Sequence, residues 1–186
     1  MTAPATPSIA LFGGSFDPPH VGHVLAATWA LSTAAIDELV VMPAFDHAFD
    51  KPLTPFAHRL RMAELAFAPL RAVTVSDLEA RLGGASYTVR TLEHLRQERP
   101  DASWRLLVGT DLVTQIPRWH EGHRIPSLAG LVVVGRGGFE RGEEDLHMPE
   151  VSSSEVRRRL RAGEPAEALV PREVLGYIAE HGLYAP

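Results

Sequence analysis

Two histidines three residues apart follow a pair of glycines in the run Gly13-Gly14-Ser15-Phe16-Asp17-Pro18-Pro19-His20-Val21-Gly22-His23. These residue types suit an anionic ligand. Glycine lets the backbone approach a ligand closely because no Cβ intervenes. Imidazoles add donors whose charge is adjustable near neutral pH. A second run, Val151-Ser152-Ser153-Ser154-Glu155-Val156-Arg157, gathers serine hydroxyls ahead of an arginine whose planar fork matches phosphate oxygens. Each part has a plainer reading. A Gly-Gly pair is usually a turn, and two histidines so spaced are surface residues or a metal pair. Ser-Ser-Ser-Glu before a helix is an ordinary capping box.

The elements around these runs favour the anion reading. Ile9-Ala10-Leu11-Phe12 is a short apolar strand and Val21 to Ala34 a helical pattern, so the histidines open a helix after a strand and a glycine turn. A helix that starts there points unpaired N–H groups and the positive end of its dipole into the turn. Ser152 or Ser153 caps the helix from Ser153 to Leu160, which places Arg157 one turn further on. Strand and helix patterns then alternate along the chain. Leu39 to Met42, Val73 to Val75, Leu106 to Val108 and Leu131 to Val134 read as strands. Pro55 opens a helix through Ala66, Ser86 reads as the N-cap of a helix through Leu95, and Pro171 to His181 is a last helix. Continuously apolar strands are buried on both faces. The fold expected is therefore α/β: a Rossmann-like, doubly wound, mainly parallel sheet with a helical C-terminal segment. Such sheets bind ligands beyond the carboxyl ends of their strands. The glycine turn, Pro43-Ala44, Gly109-Thr110-Asp111 and Gly135-Arg136 all fall there.

The 186 residues read as one domain, 1–186, with residues 1–7 a flexible proline-rich tail lacking the features of a signal peptide. The composition, 45% hydrophobic and 22% charged, is that of a globular protein. A net charge of −5 without a basic run argues against nucleic acid as the main partner. No apolar stretch is long enough to span a membrane. The absence of cysteine excludes disulfides and thiolate metal sites and is compatible with a cytoplasmic location. No G-x-G-x-x-G opens the first helix and no P-loop lysine motif is present, which removes the main support for dehydrogenase and P-loop kinase readings. A metallohydrolase remains as an alternative. His20 with His23 and His120 with His123 are suitably spaced pairs that Asp17 or Asp111 could complete.

The first run, G-[ST]-F-D-P-x-H-x-G-H, resembles the signature of the nucleotidyltransferase superfamily with the H-x-G-H motif, and the second resembles its triphosphate loop. Ser86-Tyr87-Thr88 with Thr91-Leu92, Gly109-Thr110-Asp111 followed by Trp119, and the ending Leu169 to Tyr184 are similar to the bacterial nicotinate-nucleotide adenylyltransferase family. That resemblance implies adenylyl transfer from ATP to nicotinate mononucleotide, giving deamido-NAD and pyrophosphate. The nicotinamide-mononucleotide and phosphopantetheine adenylyltransferases are the neighbouring alternatives. It implies His20, His23 and Arg157 as the catalytic residues, and an ATP site of Gly13, Gly14, Ser15, Phe16, His20, His23, Gly109, Asp111, Ser152, Ser153 and Arg157. Lys51, Thr88 and Trp119 would receive the mononucleotide, with Trp119 stacked on its ring. Mg²⁺ is expected with the triphosphate, its protein ligands unassigned, and a homo-oligomer is left open. The chain departs from the family pattern at two places. Lys51 follows Ala48-Phe49-Asp50 where the family often has P-P-H before the lysine, and Arg90 stands where many members have an acid.

Overall fold

The computed structural model describes residues 6–46, 52–135 and 149–185. Five strands form one sheet: β1 (Ser8–Gly14), β2 (Glu38–Pro43), β3 (Val73–Val75), β4 (Ser103–Gly109) and β5 (Gly130–Val134). All pairings are parallel, in the order β3-β2-β1-β4-β5. Leu11 at the centre lies opposite Val40 on one side and Leu106 on the other. Each strand expected from an apolar run lies inside an observed strand.

Alternation along β1 divides the core. Ala10 and Phe12 face a cluster with α1 (Val21–Thr33), α2 (Phe56–Phe67), α7 (Ser153–Ala162) and α8 (Arg172–Glu180). Ile9 and Leu11 face the other cluster, with α3 (Leu78–Leu82), α4 (Thr88–Glu98) and α6 (Ile125–Leu128). Helices thus cover both sheet faces, as buried parallel strands require. The buried stripe of α1 is Ala26, Ala27 and Ala30, small enough for the helix to lie close to the sheet.

The structure adds detail at three places. Tyr87, not Ser86, is the N-cap residue of α4, and no side chain caps that helix. The Ser86 hydroxyl instead accepts the Phe45 N–H at 2.8 Å, tying the end of β2 to the start of α4. The Pro7 carbonyl accepts the Ser103 N–H at 2.8 Å, and residues 1–5 lie outside the described residues. The short helices α3, α5 (Thr110–Val113) and α6 were not anticipated. Four or five residues hardly complete one turn, which leaves no apolar period to detect.

The strand order reverses direction at β1, between β2 and β4. This is the topological switch point, and the crevice outside the carboxyl ends of β1 and β4 is where such sheets take ligands.

Candidate active site

The turn from β1 into α1 is held by one buried ring. Phe16 has a φ of 47°, which is unfavourable for a residue with a side chain. A residue held there costs about 1–3 kcal/mol. Its ring is 1% exposed and packs edge-on to Phe12 at 5.5 Å and Phe67 at 5.9 Å. Burying such a ring returns about 1.5–3 kcal/mol. Any contact of Phe16 with a nucleotide therefore falls to its backbone. His20 is buried and is the N-cap residue of α1, and its backbone N–H donates to His23 Nδ1 at 3.1 Å. Because Nδ1 accepts that bond, a neutral His23 ring carries its proton on Nε2. The two imidazoles stack at 3.7 Å.

The serine run meets this turn across some 135 residues of chain. Ser152 caps α7, accepting the Glu155 N–H at 3.2 Å. The Ser153 hydroxyl donates to the Pro18 carbonyl at 2.9 Å. Arg157 Nη1 donates to the Asp17 carbonyl at 2.6 Å, and Nη2 donates to the Ser154 hydroxyl at 3.3 Å. Gly22 makes the fit: a Cβ there would lie 2.9 Å from Val151 Cγ1 and 3.1 Å from His20 Nδ1. The N-termini of α1 and α7 are therefore joined at the turn, and Arg157 bonds to the residue that precedes its prolines. On the solvent side of α7, Glu155 accepts from Arg158 and Arg159, which pull its carboxyl down to about 2.

Asp17 is buried and occupied. Its Oδ1 accepts the Tyr184 hydroxyl at 2.5 Å and its Oδ2 accepts the Thr54 N–H at 3.3 Å. Burial, and then the bond to Asp17, push the Tyr184 phenol well above its ordinary range. Asp17 is thus a turn-organising residue. Among the described residues no three His, Asp or Glu side chains are grouped so as to hold a metal, so neither histidine pair is completed by Asp17 or Asp111.

Beside the turn lies a cavity of about 690 Å³. Gly13, Gly14 and Ser15 line one side, and Ser86, Tyr87, Thr88 and Trp119 another. Tyr87 stacks on His120 at 4.0 Å, joining the start of α4 to the segment after α5. Glu79, 4% exposed, also lines the cavity and accepts the Thr91 hydroxyl. Arg90 stands 3.9 Å from its other oxygen and donates to the Ala85 carbonyl at 3.0 Å. The departure at position 90 thereby places a cation near a buried carboxylate. Gly109 ends β4 and is the N-cap residue of α5, with Asp111 in its first turn.

The structure brings Gly13, Gly14, Ser15, His20, His23, Ser152, Ser153 and Arg157 to one turn, and Thr88 and Trp119 to the adjoining cavity. His20, His23, Ser152, Ser153, Arg157 and Asp111 do not line the cavity itself. Lys51 lies outside the described residues. Sequence reasoning passed over Glu79, Tyr184 and Arg59. For Arg59 a signal existed: it stands on the apolar stripe of α2 with Met62, Ala63 and Ala66. No helix among the described residues is long and apolar enough to cross a membrane.

The sheet order and the glycine turn ahead of a helix that starts at His20 define a Rossmann-like α/β protein, and the cytidylyltransferase-like family model, which matches residues 11–159, places it among the nucleotidyltransferases. An Anaeromyxobacter dehalogenans protein named a "probable nicotinate-nucleotide adenylyltransferase" is 45% identical, over 95% of this chain and 96% of that one. A Thermus thermophilus protein of the same name is 41% identical, over 95% and 98%. The chain belongs to the nicotinate-nucleotide adenylyltransferase family. The solved nicotinic acid mononucleotide adenylyltransferase of Plasmodium falciparum, complexed with NaAD, shares the fold with a TM-score of 0.82 at 23% identity, covering 96% of this chain and 97% of that one.

Proposed function

We propose that this chain, as one domain over residues 1–186, transfers the adenylyl group of ATP to nicotinate mononucleotide, forming deamido-NAD and pyrophosphate in NAD biosynthesis. The observation that carries this is the meeting of two helix N-termini and the Arg157 fork at the Gly14–His20 turn, directly beside a cavity lined by Thr88 and Trp119. An oxygen of the mononucleotide phosphate attacks the α-phosphorus of ATP. The new P–O bond forms as the bond to the bridging oxygen breaks, and pyrophosphate leaves with that electron pair. The attacking phosphate is already anionic, so no covalent nucleophile or strong base is needed. Catalysis consists of positioning and of donors aimed at phosphoryl oxygens.

In this reading His20, His23 and the N-terminus of α1 bind the phosphates from one side. Ser152, Ser153 and Arg157 bind them from the other. Gly13, Gly14, Ser15 and the Phe16 backbone give close approach at the end of β1. Gly109 and Asp111 receive the adenosine, and Thr88, Trp119 and Lys51 the mononucleotide. α4 starts at Thr88 with no capping side chain, so its first N–H groups suit a carboxylate acceptor. Mg²⁺ enters with ATP and supplies charge neutralisation of the triphosphate. Bound with the triphosphate, the ion would keep several waters, and Asp17 is already engaged by Tyr184 and Thr54. ATP and mononucleotide pools and the cysteine-free sequence suit the cytoplasm. Incubation with ATP and nicotinate mononucleotide, followed by mass spectrometry, tests the reading: deamido-NAD equimolar with pyrophosphate is expected. ADP or free phosphate in its place would reject it.

A further inference from the structure

Arg59 is 1% exposed in the apolar stripe of α2, yet among the described residues its hydrogen bonds go to backbone carbonyls and none to a carboxylate. Nε donates to the Thr54 carbonyl at 2.7 Å. Nη1 donates to the Ser15 carbonyl at 3.0 Å and the Ala44 carbonyl at 2.6 Å, and Nη2 to the Phe45 carbonyl at 3.0 Å. Burial lowers its pKa, and the nearby Asp17 charge opposes that.

These four acceptors belong to three segments. The last β1–β2 rung is the Ala44 N–H donating to the Gly14 carbonyl at 2.9 Å. Beyond it the strands part, and the guanidinium bridges Ser15 and Ala44 where the ladder ends. Phe45 in turn donates its N–H to Ser86, one step before Tyr87 and Thr88. A continuous chain of bonds thus runs from Ser15 on the phosphate turn, through Arg59 and Phe45, to Ser86, which also lines the cavity. A buried cation spent wholly on carbonyls fixes backbone, since an ion pair would offset its desolvation better.

We propose that Arg59 is a positioning residue for adenylyl transfer, setting the separation between the phosphate turn that holds ATP and the α4 wall that holds the mononucleotide. This rests on the proposed function. Lysine keeps the charge but has one nitrogen and cannot span four carbonyls arranged around a planar fork. Misplacing two substrates lowers the rate of their reaction more than the affinity of either one.

The test compares wild type, Arg59→Lys and Ser86→Ala. kcat is measured with both substrates saturating, and the Kd of a non-hydrolysable ATP analogue by calorimetry. For Arg59→Lys, kcat is expected to fall at least about tenfold while the analogue Kd changes by less than about threefold. Ser86→Ala, which breaks the same chain at its far end, should show the same split in milder form. Wild-type kcat in Arg59→Lys with only a lowered Tm would overturn the proposal in favour of a purely structural role. A Kd that weakens in step with kcat would overturn it by placing Arg59 in ATP binding alone. Should Arg59→Lys fail to fold, an unchanged kcat in Ser86→Ala would by itself overturn it. Wild type that makes no deamido-NAD would reject the proposed function and not the geometry of the bridge.

Discussion

Adding one methyl group at Gly22 and the same group at Gly176 should move this protein in opposite directions. Both glycines lie in helices, α1 and α8, where alanine is better than glycine by about 0.5–1 kcal/mol. At Gly176 nothing lies within 4 Å of an added Cβ, so Gly176→Ala should show that gain nearly in full. At Gly22 the Cβ would stand 2.9 Å from Val151 Cγ1, and the His20 ring at 3.1–3.2 Å. Carbon atoms in contact prefer about 3.5–4.0 Å, so a neighbour must move by about 0.6 Å. Overpacking of this kind costs about 1–3 kcal/mol, which exceeds the helix gain and leaves a net loss of roughly 1–2 kcal/mol. The groups that must yield are the histidine that caps α1 and the residue before the cap of α7. Activity should therefore fall further than stability, by about tenfold or more. Chemical denaturation and pyrophosphate release would be measured for both variants. A Gly22→Ala protein as stable as Gly176→Ala, with wild-type kcat, would refute the claim that close packing at Gly22 builds the site.

Arg157→Lys should lower turnover by about 2 kcal/mol, roughly thirtyfold, because a charged-group hydrogen bond is lost, whereas Arg159→Lys, on the solvent face with Glu155, should be silent in the same steady-state assay. Ser152→Ala removes the α7 cap and should lower stability by about 1 kcal/mol in urea titrations. Glu155, pulled from 4.5 down to about 2 by Arg158 first and then Arg159, contributes stability above its unfolded value that fades as pH falls from about 4.5 toward 2. The carboxyl is fully exposed, so salt should weaken this contribution. An NMR titration midpoint near 4.5 would contradict the ion pairs. Trp119→Ala should raise the KM for mononucleotide and leave ATP binding nearly intact; an unchanged mononucleotide KM would return Trp119 to a packing role.

The sheet was legible because its strands are short apolar runs with no competing period, and because the glycine turn and serine run mark both helix starts. What escaped the sequence depends on distance in space. Nothing near Asp17 announces that Tyr184, at the far end of the chain, donates to it. Ser86 carries the local chemistry of an N-cap, but the Phe45 N–H, 41 residues away, takes its hydroxyl and the cap moves to Tyr87. Arg59 could have been noticed as a cation in phase with Met62 and Ala63, although its carbonyl partners come from three loops that only the folded sheet edge assembles. Phe16 offered no signal that a turn position would bury its ring.

The central claim concerns which mononucleotide the cavity accepts. A carboxylate only accepts hydrogen bonds, while a carboxamide also presents two donors. The uncapped N-terminus of α4 at Thr88 offers donors, so the amide would leave its own N–H groups facing N–H groups. The deciding measurement is kcat/KM for nicotinate mononucleotide and for nicotinamide mononucleotide, side by side at saturating ATP. The account predicts a preference for the acid of at least about a hundredfold. Equal values, or a preference for the amide, would contradict it.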